Sequence, residues 1–271
     1  MAETARDYGR LETLKVRRRD STIVVTLDRP HVRNAINRRM IVELSEVLSS
    51  VRQDPEINTM VLSGSGERAF CSGMDLKEFS DSQTVGSAPD YDLFMRGQFP
   101  KPVIAAVNGV ALAGGFELVL ACDIVIASSQ AAFGLPEVKR GLIAGAGGVL
   151  LSYRIPMAMA LEIGLTGEPI NARRAEMVGI VNRVVPSEDV ISVALAMAEG
   201  IARNAPAAMA ETKRVMRSAG EGRFTWDEMI ALGTRMAGHP DAREGALAFV
   251  HKREPHWGSG AVMEGTRERD E

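Results

Sequence analysis

Glu117 and Glu137 lie twenty positions apart, and each stands in glycine-rich, apolar sequence. The first closes Ala113-Gly114-Gly115-Phe116-Glu117. The second closes Phe133-Gly134-Leu135-Pro136-Glu137, with Gly145-Ala146-Gly147-Gly148 just downstream. A carboxylate in apolar surroundings needs a partner or shifts its pKa, because burying the charge alone is expensive. Two such carboxylates facing one site can divide acid and base work between them.

Other segments could supply the electrophilic half of such a site. In Phe70-Cys71-Ser72-Gly73-Met74-Asp75-Leu76-Lys77-Glu78, Asp75 and Glu78 read as a helix start with a capping pair. The N–H groups around Met74 are then unpaired and aimed outward, where they can bind an anion or a developing oxyanion. The Gly114-Gly115 pair lets the backbone approach a ligand closely. A helix beginning there aims another free N–H at the same ligand, and Glu117, about one turn on, can face it. The loop at Gly145 could hold a water. Each segment also has a plainer reading: a capped helix after a turn, glycines that permit close packing beside a first-turn acid, and a surface acid after a proline.

Two nucleotide motifs are excluded. No Lys followed by Ser or Thr accompanies the glycine loop, so it is no P-loop. Gly64-Ser65-Gly66-Glu67-Arg68-Ala69 matches the loose dinucleotide fingerprint, but Phe70-Cys71-Ser72-Gly73 interrupts where a helix should open.

The elements that must position these groups alternate. Strands are expected at Ile23–Leu27, Met60–Leu62, Val103–Val107, Ile124–Ala127 and Val181–Val185. Apolar residues spaced by three and four predict a helix over Asn37–Val51, and a short apolar helix is expected from Gly114 to Cys122. The alternation is α/β, and its short strands and frequent turns favour a coiled arrangement over one wide sheet. Beyond Pro186 the character turns helical, over Ser187–Arg203, Pro206–Ser218, Thr225–Ala237 and Pro240–Arg253. Pro206 and Pro240 fit first helical positions, where the missing N–H is no loss. A core over residues 1–205 and a helical region over 206–271 follow, with 258–271 polar and expected to be partly disordered.

Composition narrows the function. The chain has 271 residues, 45% hydrophobic and 25% charged, as in an ordinary soluble globular protein. A net charge of −3 argues against nucleic acid as a partner. Lys15-Val16-Arg17-Arg18-Arg19 is basic but short, and reads as a solvated strand edge. Cys71 and Cys122 have no metal-ligand spacing and read as small buried residues. His31, His239, His251 and His256 all lie outside the glycine-rich segments, which leaves little support for a metal site or a Ser-His-Asp triad. No apolar run approaches the roughly 18–20 residues of a membrane span. The N-terminus lacks a hydrophobic signal region, so a cytoplasmic protein is expected.

Taken together, the chain resembles the crotonase (enoyl-CoA hydratase/isomerase) superfamily from about residue 20 to residue 253. The resemblance rests on Asn34-Ala35-Ile36-Asn37, on the Ala69–Lys77 stretch and on Lys101-Pro102-Val103-Ile104-Ala105-Ala106-Val107-Asn108-Gly109. It continues through both glutamate segments and Phe249-Val250-His251-Lys252-Arg253. It implies a crotonase-like spiral of ββα units with a helical C-terminal oligomerisation region that builds homotrimers, often stacked into hexamers. It implies an acyl-CoA thioester polarised between the backbone N–H groups of Met74 and Gly114. Glu117 and Glu137 would hold a water and manage its protons, and Gly145 would help place that water. Ser72, Asp75, Leu76 and Lys77 match the CoA-contacting segment, and Lys252 matches a lysine that reaches CoA phosphates. No metal or redox cofactor is implied, CoA being part of the substrate. With both glutamates present, the resemblance favours hydration of a trans-2-enoyl-CoA to a 3-hydroxyacyl-CoA, or its reverse. Double-bond isomerisation is the alternative. So is a polar substrate, because Ala-Gly-Gly-Phe-Glu and Pro-Glu-Val-Lys-Arg are similar to carnitinyl-CoA dehydratase-like branches.

Overall fold

The computed structural model describes residues 11–82 and 86–258. The polar stretch expected to be partly disordered lies outside them from residue 259 onward, as does the leading segment 1–10.

Strands β1 (Leu14–Arg19) and β2 (Thr22–Leu27) form an antiparallel hairpin, and α1 (Arg38–Gln53) follows. Three ββα turns come next. The first is β3 (Thr59–Gly64) and β4 (Ala69–Cys71) with α2 (Leu76–Ser82) and α3 (Pro89–Met95). The second is β5 (Val103–Val107) and β6 (Val110–Leu112) with α4 (Gly114–Ala121). The third is β7 (Ile124–Ser128) and β8 (Ala132–Gly134) with α5 (Leu150–Arg154) and α6 (Met157–Thr166). Then come β9 (Ile170–Asn171), α7 (Ala172–Met177) and β10 (Arg183–Val185). Helices α8 (Val190–Ala202), α9 (Pro206–Gly220), α10 (Trp226–Ala237) and α11 (Pro240–Val250) complete the chain.

The first strand of each turn joins a sheet ordered β1-β2-β3-β5-β7-β10, parallel beyond the hairpin. The second joins a smaller sheet ordered β4-β6-β8-β9. This is the spiral of ββα units expected from the sequence. The three-residue strands of the smaller sheet were not expected, because so short a run carries no periodicity to read.

Register explains the apolar runs. Leu62, Ala105 and Val125 line up across the larger sheet and face the main core. Their neighbours Val61, Ile104 and Ile126 face the other way and pack against α8. A parallel sheet covered on both faces needs apolar residues on both, so its strands do not alternate. Helix α8 approaches closely because Ala194 and Ala198, one turn apart, are its contact face. Its first expected turn, Ser187–Asp189, is a 3-10 turn.

Helix α1 starts on an Asn37 side chain that accepts from the Met40 N–H at 3.0 Å, and buries Met40, Ile41, Leu44, Val47, Leu48 and Val51. Gly64 and Gly66 serve the β3–β4 turn rather than a phosphate. A Cβ on Gly64 would lie 2.4 Å from the Phe70 carbonyl oxygen, and Gly66 has φ +79°. Helix α9 returns to the core through Lys213 and Arg217, whereas α10 and α11 pack on each other. No helix among the described residues is long and apolar enough to cross a membrane.

Candidate active site

The site is built where two strained turns meet. Ala113, just before α4, has φ +50° and ψ −131°, a region costing a residue with a Cβ about 1–3 kcal/mol. It is held there because its N–H donates to the Gly134 carbonyl at 2.9 Å, while its own carbonyl accepts from the N–H groups of Phe116 and Glu117. Gly73 sits against it with φ +95°. A Cβ on Gly73 would lie 2.6 Å from the Ala113 Cβ and 3.4 Å from the Gly114 nitrogen. Only glycine lets the two backbones approach this closely. Gly115 is similarly forced, since its Cβ would fall 2.2 Å from the Cys71 carbonyl oxygen.

Met74 is clamped between its neighbours. The Ile36 N–H donates to the Gly73 carbonyl and the Asp75 N–H donates to the Ile36 carbonyl, both at 2.8 Å. In this parallel bridge the N–H of Met74 itself points away from Ile36. Among the described residues, neither the Met74 nor the Gly114 N–H meets an acceptor. Two unpaired amides on adjoining turns can donate to one oxygen atom between them.

Glu117 is 4% exposed on the first turn of α4. Its Oε1 accepts from the N–H groups of Ala146 (3.0 Å), Gly147 (2.9 Å) and Gly148 (2.8 Å). Its Oε2 lies toward Gly114, 3.8 Å from where a Cβ on that residue would stand. The cradle depends on small residues: a Cβ on Gly147 would lie 3.2 Å from the Met95 carbonyl oxygen and 3.3 Å from the Glu117 Cβ. The residues following Gly145, rather than Gly145 itself, therefore hold this carboxylate.

Glu137 is the opposite case. It lies in a 3-10 turn, Pro136–Arg140, directly after β8. Its Oε2 is buried without a hydrogen-bond partner among the described residues. Burial raises its pKa above the ordinary glutamate value. The negative charge of Glu117 adds to that rise, while a backbone hydrogen bond and Arg140 act against it. The coupling places both carboxylates in one electrostatic neighbourhood.

The other residues singled out in the sequence divide. Ser72 is half-buried and donates its N–H to the Arg33 carbonyl at 3.0 Å. The carboxylate of Asp75 pairs with Arg29 Nη1 at 3.1 Å, and the same nitrogen donates to the Ala35 carbonyl at 2.6 Å. Glu78 accepts from the Arg38 N–H at 2.9 Å and so ties α2 to the start of α1. Leu76 and Lys77 are exposed on the first turn of α2. Lys252 is exposed, with φ +52°, beyond the end of α11. Among the described residues, no group of three or more His, Cys, Asp or Glu side chains could hold a metal ion.

Sequence reasoning placed some of the supports in its motifs without seeing what they hold. Asn34, fully buried with φ +55°, donates from Nδ2 to the carbonyls of Ser65, Ala69 and Phe70, each at 3.0 Å. It pins β4 beside the turn that carries Ile36. Arg29 and Ala113 likewise carry no supporting role in the sequence reading, although Ala113 opens the first glutamate segment. An asparagine amid arginines gives no local signal of three carbonyls more than thirty positions away.

A two-sheet spiral of ββα turns with paired amides and paired carboxylates on its inner turns defines a class. The chain belongs to the crotonase superfamily: residues 17–260 match the family model for enoyl-CoA hydratase/isomerase. It is 39% identical over 262 residues to the carnitinyl-CoA dehydratase of Proteus mirabilis, covering 91% of this chain and 98% of that one. A crystal structure of enoyl-CoA hydratase from Mycobacterium tuberculosis H37Rv superposes with a TM-score of 0.82 at 38% identity, over 92% of this chain and 99% of the other. A carnitinyl-CoA hydratase structure from Mycobacterium avium is 42% identical with a TM-score of 0.73, over 93% and 100%.

Proposed function

We propose that this chain is a hydro-lyase that adds water across the 2,3 double bond of a trans-2-enoyl-CoA, or removes it from the 3-hydroxyacyl-CoA. The observation that carries this reading is the asymmetry of the carboxylates. Glu117 is tethered through one oxygen by three amides and keeps Oε2 toward Gly114. Glu137 carries a buried, partnerless oxygen and a raised pKa. A Glu117 held by three amides suits a base, and a Glu137 biased toward its protonated form suits an acid.

The thioester carbonyl sits between the N–H groups of Met74 and Gly114. Glu117 takes a proton from water as its oxygen bonds to C3, and the electron pair of the double bond moves into the enolate. The enolate oxygen is held by the two amides. Glu137 then gives its proton to C2, the carbonyl re-forms, and proton exchange with solvent resets both carboxyls. Losing one such donor costs about 3–4 kcal/mol of transition-state stabilisation. Ser72, Leu76 and Lys77 line the CoA side in this reading. Asp75 contributes through Arg29 to the shape of that segment.

Loss of absorbance of the conjugated thioester of crotonyl-CoA measures the activity directly. Glu117→Gln and Glu137→Gln should each cut turnover by about 10²–10⁴-fold while the far-ultraviolet spectrum stays unchanged. Wild-type rates in both variants would sink the assignment. The two carnitinyl-CoA relatives favour a second reading, a polar acyl group. Comparing crotonobetainyl-CoA with crotonyl-CoA by kcat/KM decides between them. Exposed Trp226 and Ile230 on α10 and Phe249 and Val250 on α11 support assembly into homotrimers or hexamers. Light scattering after gel filtration tests that assembly.

A further inference from the structure

A cavity of about 650 Å³ lies away from the glutamate pair, at the opposite end of α4. Its size falls within the roughly 300–1,000 Å³ of small-ligand sites. Its walls are apolar: Ile124, Leu150, Ile201, Ala208, Met209 and Met216. Its floor is charged. Arg154 Nη2 donates to the carbonyls of Leu120 (2.8 Å) and Cys122. Arg217 Nη2 donates to the carbonyls of Ala121 (3.1 Å) and Cys122 (3.2 Å) and to Asp123 Oδ1 (2.8 Å). Lys213 Nζ donates to Asp123 Oδ2 (2.6 Å) and to the Lys101 carbonyl (2.8 Å).

Three cations thus face one carboxylate. The C-terminal dipole of α4 offsets only about half a charge. The remaining acid on the rim, Glu221, is engaged by Arg223. Asp123 is saturated as well, because its Oδ2 also accepts from the Val103 N–H at 2.8 Å. Burial holds Arg154 down at about 10, and the neighbouring charge of Arg217 adds to that depression. The floor is therefore short of negative charge, at the base of an open, apolar-walled cleft.

We propose that this cavity binds an amphipathic carboxylate, an aliphatic acid whose head meets Arg154, Lys213 and Arg217 and whose chain lies along α8 and α9. The charged floor selects the anion, and the Met and Ile walls take the chain. The site is separate from the thioester site, with α4 between them; eight residues of helix span about 12 Å.

Calorimetric titration of the full chain with octanoate tests this, with octyltrimethylammonium as the charge-reversed probe. Saturable binding of octanoate alone is expected, weakened at least tenfold in Arg217→Gln. Because Arg217 also caps α4, a second variant is needed. Ala208→Trp fills the cavity from the exposed side of α9 and leaves the floor intact. It should abolish octanoate binding and leave crotonyl-CoA turnover unchanged. No saturable binding, equal binding of the cationic probe, or binding that survives Ala208→Trp would overturn the proposal. So would displacement of octanoate by saturating 3-hydroxybutyryl-CoA, which would put it in the thioester site. Dissociation of an oligomer in Ala208→Trp would overturn it too, by making the groove a contact between copies.

Discussion

The two ends of α4 are treated in opposite ways. At its N-terminus the Gly114 N–H is, among the described residues, without an acceptor beside the equally unpaired Met74 N–H. At its C-terminus the carbonyls of Leu120, Ala121 and Cys122 are all taken by Arg154 and Arg217, and Asp123 by Lys213 and Arg217. One end withholds partners and the other oversupplies them. Withheld partners leave a preorganised pair of donors for a ligand to satisfy, whereas supplied partners fix the helix in the fold. A helix so short has little stability of its own, so the anchored end must supply the stability that the open, reactive end gives up.

The comparison breaks first at the anchored end. Asp123→Asn removes the carboxylate that pairs with both Lys213 and Arg217, leaving buried cations uncompensated. A loss of about 3–5 kcal/mol in urea unfolding is expected, with little change in kcat per folded molecule. A kcat that fell as far as stability would mean the two ends are not separable. At the reactive end, Gly73→Ala drives a Cβ to 2.6 Å from Ala113 and must shift the donor pair. About a 100-fold drop in kcat/KM on crotonyl-CoA should follow, a misplacement of the size known to cost that much. Ala113→Gly relaxes the strained φ of +50° and should raise unfolding free energy by about 1 kcal/mol, unless greater unfolded-chain entropy offsets it. Differential scanning fluorimetry against pH gives the smallest effect. The folded pKa of Glu137 lies above its ordinary value of 4.5. Its contribution to stability is therefore full below that value and is lost as pH rises through the raised one. Glu137→Gln has no such loss, so its Tm should gain on the wild type between about pH 4 and pH 8. A constant Tm difference across that range would show that the carboxyl is not shifted.

Much of this arrangement was legible in the residues alone. β-branched runs located the larger sheet, spacings of three and four located α1, and Thr225 and two prolines located the late helices. The glutamates, the glycine pair and the Met74 segment also stood out. What stayed hidden comes from distance along the chain. The amides that hold Glu117 lie 29 to 31 positions away. The cations at the far end of α4 come from positions 154, 213 and 217. Asp75 looked like part of a helix cap or a ligand contact, yet its carboxylate turns inward to Arg29, 46 positions upstream. Nothing in local pattern records such a pairing, because a surface acid and a tethered one have the same neighbours in sequence.

The clamp of Ile36 on both sides of Met74 ties chemistry to the cooperativity of the whole fold. The Met74 amide, proposed above as a donor to the thioester oxygen, is oriented only while the segment around Asn34, far upstream, is docked. Loosening that segment should free the Asp75 N–H from the Ile36 carbonyl and lower turnover together, so hydrogen exchange at that one amide would report how much of the population is competent.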